Sequence, residues 1–268
     1  VSAPVTPDPW TALRRHTPAR IALGRTGASL PTSEVLGFAL AHAQARDAVH
    51  APFEAEATAA AIQALDLETV LVASAAPDRA SYLRRPDLGR TLSEAGRVAL
   101  AARTPGTCDL AIVIADGLSS TAVHAHAASL VEALLPAVRE AGWRLAPVVV
   151  ARQARVALGD AVGELLGARL VILLVGERPG LSSPDSLGAY VTFAPKVGRT
   201  DAERNCVSNI RGEGLSYEAA AFKLAWHARE ALRLGLTGVG LKDESDLAVP
   251  RLVTPPRIAP EGSRSPTG

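Results

Sequence analysis

Along the first hundred residues, apolar positions recur mostly at helical spacing. Asp8-Pro-Trp10 opens a short amphipathic segment to Arg15, with aspartate suited to the cap and proline to the first turn. Thr32 or Ser33 can cap a helix over 34–46, whose Val35, Phe38, Leu40 and Ala43 fall roughly on one face. Further helices are expected over 52–65 and 92–102, with one short strand over 69–73. Arg84-Arg85-Pro86 and Pro105-Gly106 punctuate the stretch.

After Pro105 the pattern changes. Residues 110–115 form a continuous aliphatic run, as in a strand buried on both faces. Asp116-Gly117 turns the chain, and Ser119 or Ser120 caps a helix to Ala141. Strands over 145–151, 169–175 and 187–193 and helices over 156–166 and 217–234 complete the series. Strands separated by helices of these lengths predict an α/β fold, a parallel sheet with right-handed crossovers flanked by helices and preceded by a mainly helical region. The expected division is 1–105 helical, 106–253 sheet-containing, and 254–268 a proline-rich tail expected to be disordered.

Composition narrows the classes. The 28 lysines and arginines against 27 acids leave a net charge of +1, without the basic excess of a nucleic-acid or membrane-surface protein. With 48% apolar residues over 268 positions, the chain can build a sizeable core and is not intrinsically disordered. No apolar run reaches the ~20 residues of a membrane helix, and residues 1–7 do not resemble a secretory signal. Cys108 and Cys206 form no CxxC pair, and a reducing compartment suits them better than a disulfide. A cytoplasmic protein is expected.

The chain lacks a G-x-x-x-x-G-K-[ST] phosphate loop, an H-E-x-x-H zinc helix and a G-x-S-x-G nucleophile elbow. His124 and His126 would face a common metal only on a strand; on the expected helix they diverge, which favours one surface and one packed histidine. Polar residues at the C-terminal ends of buried strands remain, where open α/β sheets bind ligands. Asp116-Gly-Leu-Ser-Ser120 follows a strand and opens a helix, although a turn and a cap alone would explain it. Glu177 would project from a strand end, to accept hydrogen bonds from a ligand or to pair with Arg178. Residues 196–211 form a dense polar loop around Arg204-Asn-Cys-Val-Ser-Asn209, with Cys206 as a conceivable nucleophile.

Several stretches now read together: Asp8-Pro-Trp10, Ala19-Arg-Ile-Ala-Leu-Gly-Arg25, Ser29-Leu-Pro-Thr32, and His42-Ala-Gln-Ala-Arg-Asp-Ala-Val-His50. They continue through Asp116-Gly-Leu-Ser-Ser-Thr-Ala122, Gly176-Glu-Arg-Pro-Gly-Leu181, Arg204-Asn-Cys-Val-Ser-Asn-Ile-Arg211 and Gly214-Leu215. In their order and number the chain resembles the small (light) subunits of ethanolamine ammonia-lyase, the adenosylcobalamin-dependent enzyme that converts ethanolamine to acetaldehyde and ammonia. The resemblance implies a Rossmann-like part that covers the cofactor and a large (β/α)₈-barrel subunit as partner. It places cobalamin contacts on Val156, Glu177 and Cys206, with no catalytic acid or base on this chain. No D-x-H-x-x-G occurs, so the implied cofactor keeps its own base on cobalt. Packaging in a bacterial microcompartment is a variant within the family. A self-sufficient α/β enzyme using Asp116, Ser119 or Cys206, and a scaffold module, are the rival readings.

Overall fold

The aliphatic runs that dominate the second half of the sequence meet at the centre of one sheet. The computed structural model describes residues 5–103 and 107–248. Its strands are β1 (Thr69–Ala73), β2 (Cys108–Ala115), β3 (Val148–Arg152), β4 (Ala168–Gly176), β5 (Leu187–Phe193) and β6 (Asn205–Ile210), in the order β1-β3-β2-β4-β5-β6. The helices are α1 (Thr32–His50), α2 (Ala55–Gln63), α3 (Arg79–Arg84), α4 (Pro86–Arg90), α5 (Glu94–Ala101), α6 (Ser120–Glu140), α7 (Leu158–Leu165), α8 (Tyr217–Leu234) and α9 (Ser245–Ala248).

Alternation along β2, β3 and β4 builds two cores. Leu110, Ile112, Ile114, Val150, Ile172 and Leu174 point to the layer made by α2, α6 and α8. Ala111, Val113, Val149, Val171 and Leu173 point to the other face, under α5 and α7. Both faces being covered, these strands need apolar residues at every position.

The α/β expectation holds, with corrections to its detail. β1 to β4 are mutually parallel, but β5 and β6 run antiparallel to their neighbours, so the sheet is mixed. The reason lies in the connections. Residues 177–186 contain no helix, and a parallel return needs a crossover of about a dozen residues or more. The segment 196–211, read as a loop, contains a 3₁₀ turn at Asp201–Glu203 and the edge strand β6. The strand at 69–73, placed in the helical N-terminal part, is the opposite edge, paired with β3.

Helix α1 runs longer than expected, and its apolar positions are not buried. Val35, Phe38, Leu40 and Ala43 face solvent, while Ala41 and Ala48 are its buried residues. Val156 lies in the turn ahead of α7 instead of beginning the helix. α6 is long and apolar enough to cross a membrane by length and composition, yet ten of its 21 residues are buried within this fold. The tail expected at 254–268 and the boundary at 105/106 lie outside the described residues.

Two glycines let the β2–α6 turn cross the tip of β4. Gly117 has φ +57°, and a Cβ there would lie 2.2 Å from the Gly176 carbonyl oxygen. A Cβ on Gly176 would come within 2.0 Å of the Ser119 carbonyl oxygen. Only glycine permits this approach. Gly176→Ala is therefore expected to cost about 1–3 kcal/mol of stability through backbone displacement, read as a lower urea midpoint. An unchanged midpoint would contradict the close crossing.

Candidate functional site

The C-terminal ends of β2, β3 and β4 converge on one edge, and the buried carboxylate of Asp116 organises it. Asp116 accepts hydrogen bonds from the Ala154 amide (2.9 Å) and from Arg79 Nη1 (3.3 Å). Arg79 also donates to the Gly117 carbonyl at 2.8 Å. The buried ring of Tyr82 lies between two guanidinium groups, Arg79 at 4.9 Å and Arg155 at 4.7 Å, close enough for cation–π attraction. Its hydroxyl donates to the Ala154 carbonyl at 3.3 Å. These contacts fix the turn over 153–157, in which Gln153 takes a left-handed φ of +53°.

Ser119 does what a cap does, accepting from the Ala122 amide, and it also donates to the Pro184 carbonyl. Asp116 does more than make a turn, because it tethers the chain that carries Val156. Burial pushes its pKa up to about 6, opposed by the Ala154 amide and by Arg79.

Val156, half-buried on the second core, and Tyr190 line a cleft of about 700 Å³. Arg90, Arg97, Arg155 and Arg199 also line it. Arg199 is paired with Glu203, whereas Arg90, Arg97 and Arg155 have no acidic ion-pair partner among the described residues. The charge of Asp160, another lining residue, is taken up by Arg204 through a bidentate pair at 2.6 and 2.7 Å. Asp201 also lines it, 3.6 Å from Arg204 Nε, so four lining arginines face two lining acids and the cleft is electropositive. Gln153 Oε1 and Arg155 Nε, both in the segment that leads into Val156, are buried without a hydrogen-bond partner.

Glu177 extends the β4 ladder by one residue, its amide donating to the Ser186 carbonyl at 2.9 Å. Its carboxylate accepts from the Ser186 hydroxyl and the Asn209 amide. It lies over Gly188, where a Cβ would come 2.8 Å from Oε1. The alternative of an ion pair with Arg178 is not what forms: Glu177 has no ion-pair partner among the described residues.

Cys206 on β6 is in register with Tyr190 on β5. The thiol is exposed, and Cys108 is buried against the Leu166 carbonyl; both cysteines are free. Desolvation against the sheet raises the Cys206 pKa, the Tyr190 hydrogen bond opposes this, and the nearby Glu177 charge adds to it. A nucleophile needs the opposite shift.

Strand alternation unites the three positions. Val156 packs on the face of Leu173 and Val175, Glu177 continues that alternation, and Cys206 sits beside Tyr190 on the same face. On β5 and β6, helices α6 and α8 pack on the other side, so this face stays open at Cys206 and Ser208. The histidines diverge as their helical spacing predicts. His124 stacks on Phe53, and His126 is buried between Tyr217 and Asp185. Sequence reading missed Arg79, Tyr82 and Tyr190, and named Arg204 only as part of the dense polar core, without its partner Asp160. For Tyr190 a signal existed, since the alternation of 187–193 sets it opposite to Ala189 and Val191.

Comparison with known proteins gives a consistent picture. The family described as ethanolamine ammonia-lyase light chain matches residues 7–242. A Xanthomonas campestris pv. campestris protein named ethanolamine ammonia-lyase small subunit is 58% identical over 251 residues, 92% of each chain. An Azotobacter vinelandii protein of the same name is 57% identical, again over 92% of each chain. One from Pseudomonas syringae pv. tomato is 56% identical over 90% of this chain and 85% of its own.

Two outcomes follow from the buried charges. Arg204→Met leaves Asp160 uncompensated and is expected to cost about 3–5 kcal/mol in urea unfolding, whereas Arg204→Met with Asp160→Leu recovers most of it. Equal losses in both variants would contradict the pairing. Asp116 titrates near pH 6 when folded, against 3.8 ordinarily, so between those values the folded chain holds a proton that the unfolded chain has released. Its contribution is complete below about pH 4 and is lost as pH rises through 6, up to about 3 kcal/mol. Asp116→Asn should flatten the stability–pH curve in that window; a curve parallel to wild type would count against the burial argument.

Proposed function

The chain belongs to the ethanolamine ammonia-lyase light-chain family, and from that premise we propose that it holds adenosylcobalamin against a large barrel subunit. Val156, Glu177 and Cys206 would face the cofactor. The observation that carries this reading is their common sheet face, open on β5 and β6 and continuous through Tyr190 with the electropositive cleft.

The donor set suits such a ligand. Cobalamin has a broad apolar body, peripheral amides and a single phosphodiester. The Glu177 carboxylate, already oriented by Ser186 and Asn209, can accept from amide N–H groups. Arg90, Arg97 and Arg155 offer charge for a phosphodiester oxygen, and Arg155 Nε has no hydrogen-bond partner of its own. Val156 supplies an apolar contact, and Cys206 a small, weakly polar one.

Bound cofactor supplies radical generation by cleavage of its cobalt–carbon bond. This chain's residues bind it, orient it and keep water from one side of it. No side chain here acts as acid or base in this reading: Asp116 is committed to Arg79 and Ala154, and the Cys206 thiol is shifted away from reactivity.

Glu177→Gln keeps the shape and loses the charge. Hydrogen bonds to a charged acceptor contribute roughly 1.5–3 kcal/mol, so cobalamin affinity of the assembled enzyme is expected to fall about tenfold or more, measured by absorbance titration. Unchanged affinity would return Glu177 to a purely structural role. Cys206→Ser should retain substantial turnover, while Cys206→Phe should lose cofactor binding without unfolding. A serine variant that binds cobalamin normally yet cannot turn over would place Cys206 in the chemistry.

A further inference from the structure

Half of the exposed large apolar residues lie in one short stretch. Among the described residues, nine of eighteen fall within 5–40: Val5, Trp10, Leu13, Ile21 and Leu30, then Val35, Leu36, Phe38 and Leu40 on α1. The last four fall within six residues and, at 100° per residue, spread over about 200° of the helix circumference. An apolar stripe of that width ordinarily faces a core, yet Leu36 is 63% exposed and Leu40 61% exposed here.

Two hydrogen bonds attach the stretch to the body beyond this apolar part. Arg79 Nε donates to the Val49 carbonyl and the Ser120 hydroxyl to the Ala51 carbonyl, both at the C-terminal end of α1. Farther out, Arg20 Nη2 reaches the Leu181 carbonyl at 3.4 Å, and its guanidinium lies 5.9 Å over the Phe38 ring. Leu181 belongs to the connection that begins with Glu177. The apolar stretch and the proposed cofactor face therefore share one end of the sheet.

We infer that residues 5–50 form the arm by which this chain docks on its large subunit, with Leu36, Phe38 and Leu40 entering an apolar groove rimmed by acidic side chains. The inference rests on the partner proposed above. Charge selects the occupant. The arm carries Arg14, Arg15, Arg20, Arg25 and Arg46 against Asp8, Glu34 and Asp47, and Arg14 is paired with Glu34. A second copy would set arginine against arginine, whereas an acidic rim complements the arm.

The test co-expresses the full chain with the large subunit and compares wild type with Leu36→Asp/Leu40→Asp. Both side chains are exposed in the isolated chain, so its thermal midpoint and circular dichroism should not change. Assembly, read by light scattering after size exclusion, is expected to weaken roughly a hundredfold or more, from two buried leucines lost. Val239→Asp, at a still more exposed apolar position outside the arm, should assemble as wild type. If the double variant assembles normally, the arm inference fails and the subunit reading stands. If the control weakens assembly equally, the arm is not the determinant. A wild-type chain that forms no complex overturns both readings. A wild-type self-dimer that the double variant abolishes, with the complex intact, assigns the arm to a second copy and overturns the inference.

Discussion

The buried ion pair between Arg204 and Asp160 holds the two halves of the site in one place. Asp160 lies in the first turn of α7, four residues after Val156, and Arg204 lies two residues before Cys206. The pair is bidentate, and both side chains are 2% exposed. Arg204 donates further to Thr192 Oγ1 on β5 and to the Arg199 carbonyl. One guanidinium thus joins a helix on the parallel part of the sheet to the antiparallel edge. Such a pair is weak evidence for stability, because desolvation offsets attraction, but losing one partner is costly. Its visible consequence is positional: it fixes the separation of the Val156 turn from the Cys206 strand across the cleft.

The mixed sheet has a matching consequence. In a parallel sheet each crossover lays a helix on one face or the other. Here the connections on either side of β5 carry no α-helix, so one face of β5 and β6 has no such cover. Gly188 leaves room for Glu177 to lie flat on that face, and Tyr190 spans from it into the cleft. Exposed strand faces and edges are hazards unless something covers them. In the reading proposed above, cofactor and partner are that cover.

Parts of this were legible in the sequence. The aliphatic runs of β2 and β4 encode burial on both faces directly, and the Asp116-Gly117 turn and Ser119 cap follow from side-chain chemistry. The direction of β5 was less legible, because an apolar seven-residue run pairs equally well either way, and only the missing crossover at 177–186 decides. The segment 196–211 looked like a loop because half of β6 faces out; Val207 and Ile210 are its buried residues. Arg79, Tyr82 and Arg204 could not be found from spacing, since they meet partners 37, 72 and 44 residues away. The apolar residues of α1 were read as falling roughly on one face of a helix. They are exposed in this chain, and in the inference drawn above a partner covers them.

In the reading proposed above, cofactor covers Cys206 at the subunit interface, and thiol reactivity reports on that cover. Cys108 is buried and bonded to the Leu166 carbonyl, so an alkylating reagent reports on Cys206 alone. Because its pKa is raised, the measurement belongs at mildly alkaline pH, with the extent of labelling read by mass spectrometry. The account predicts ready labelling in the isolated chain and strong protection in the assembled enzyme with bound cobalamin. It also predicts intermediate protection in the assembled enzyme without cobalamin. Equal labelling rates with and without cobalamin would contradict it.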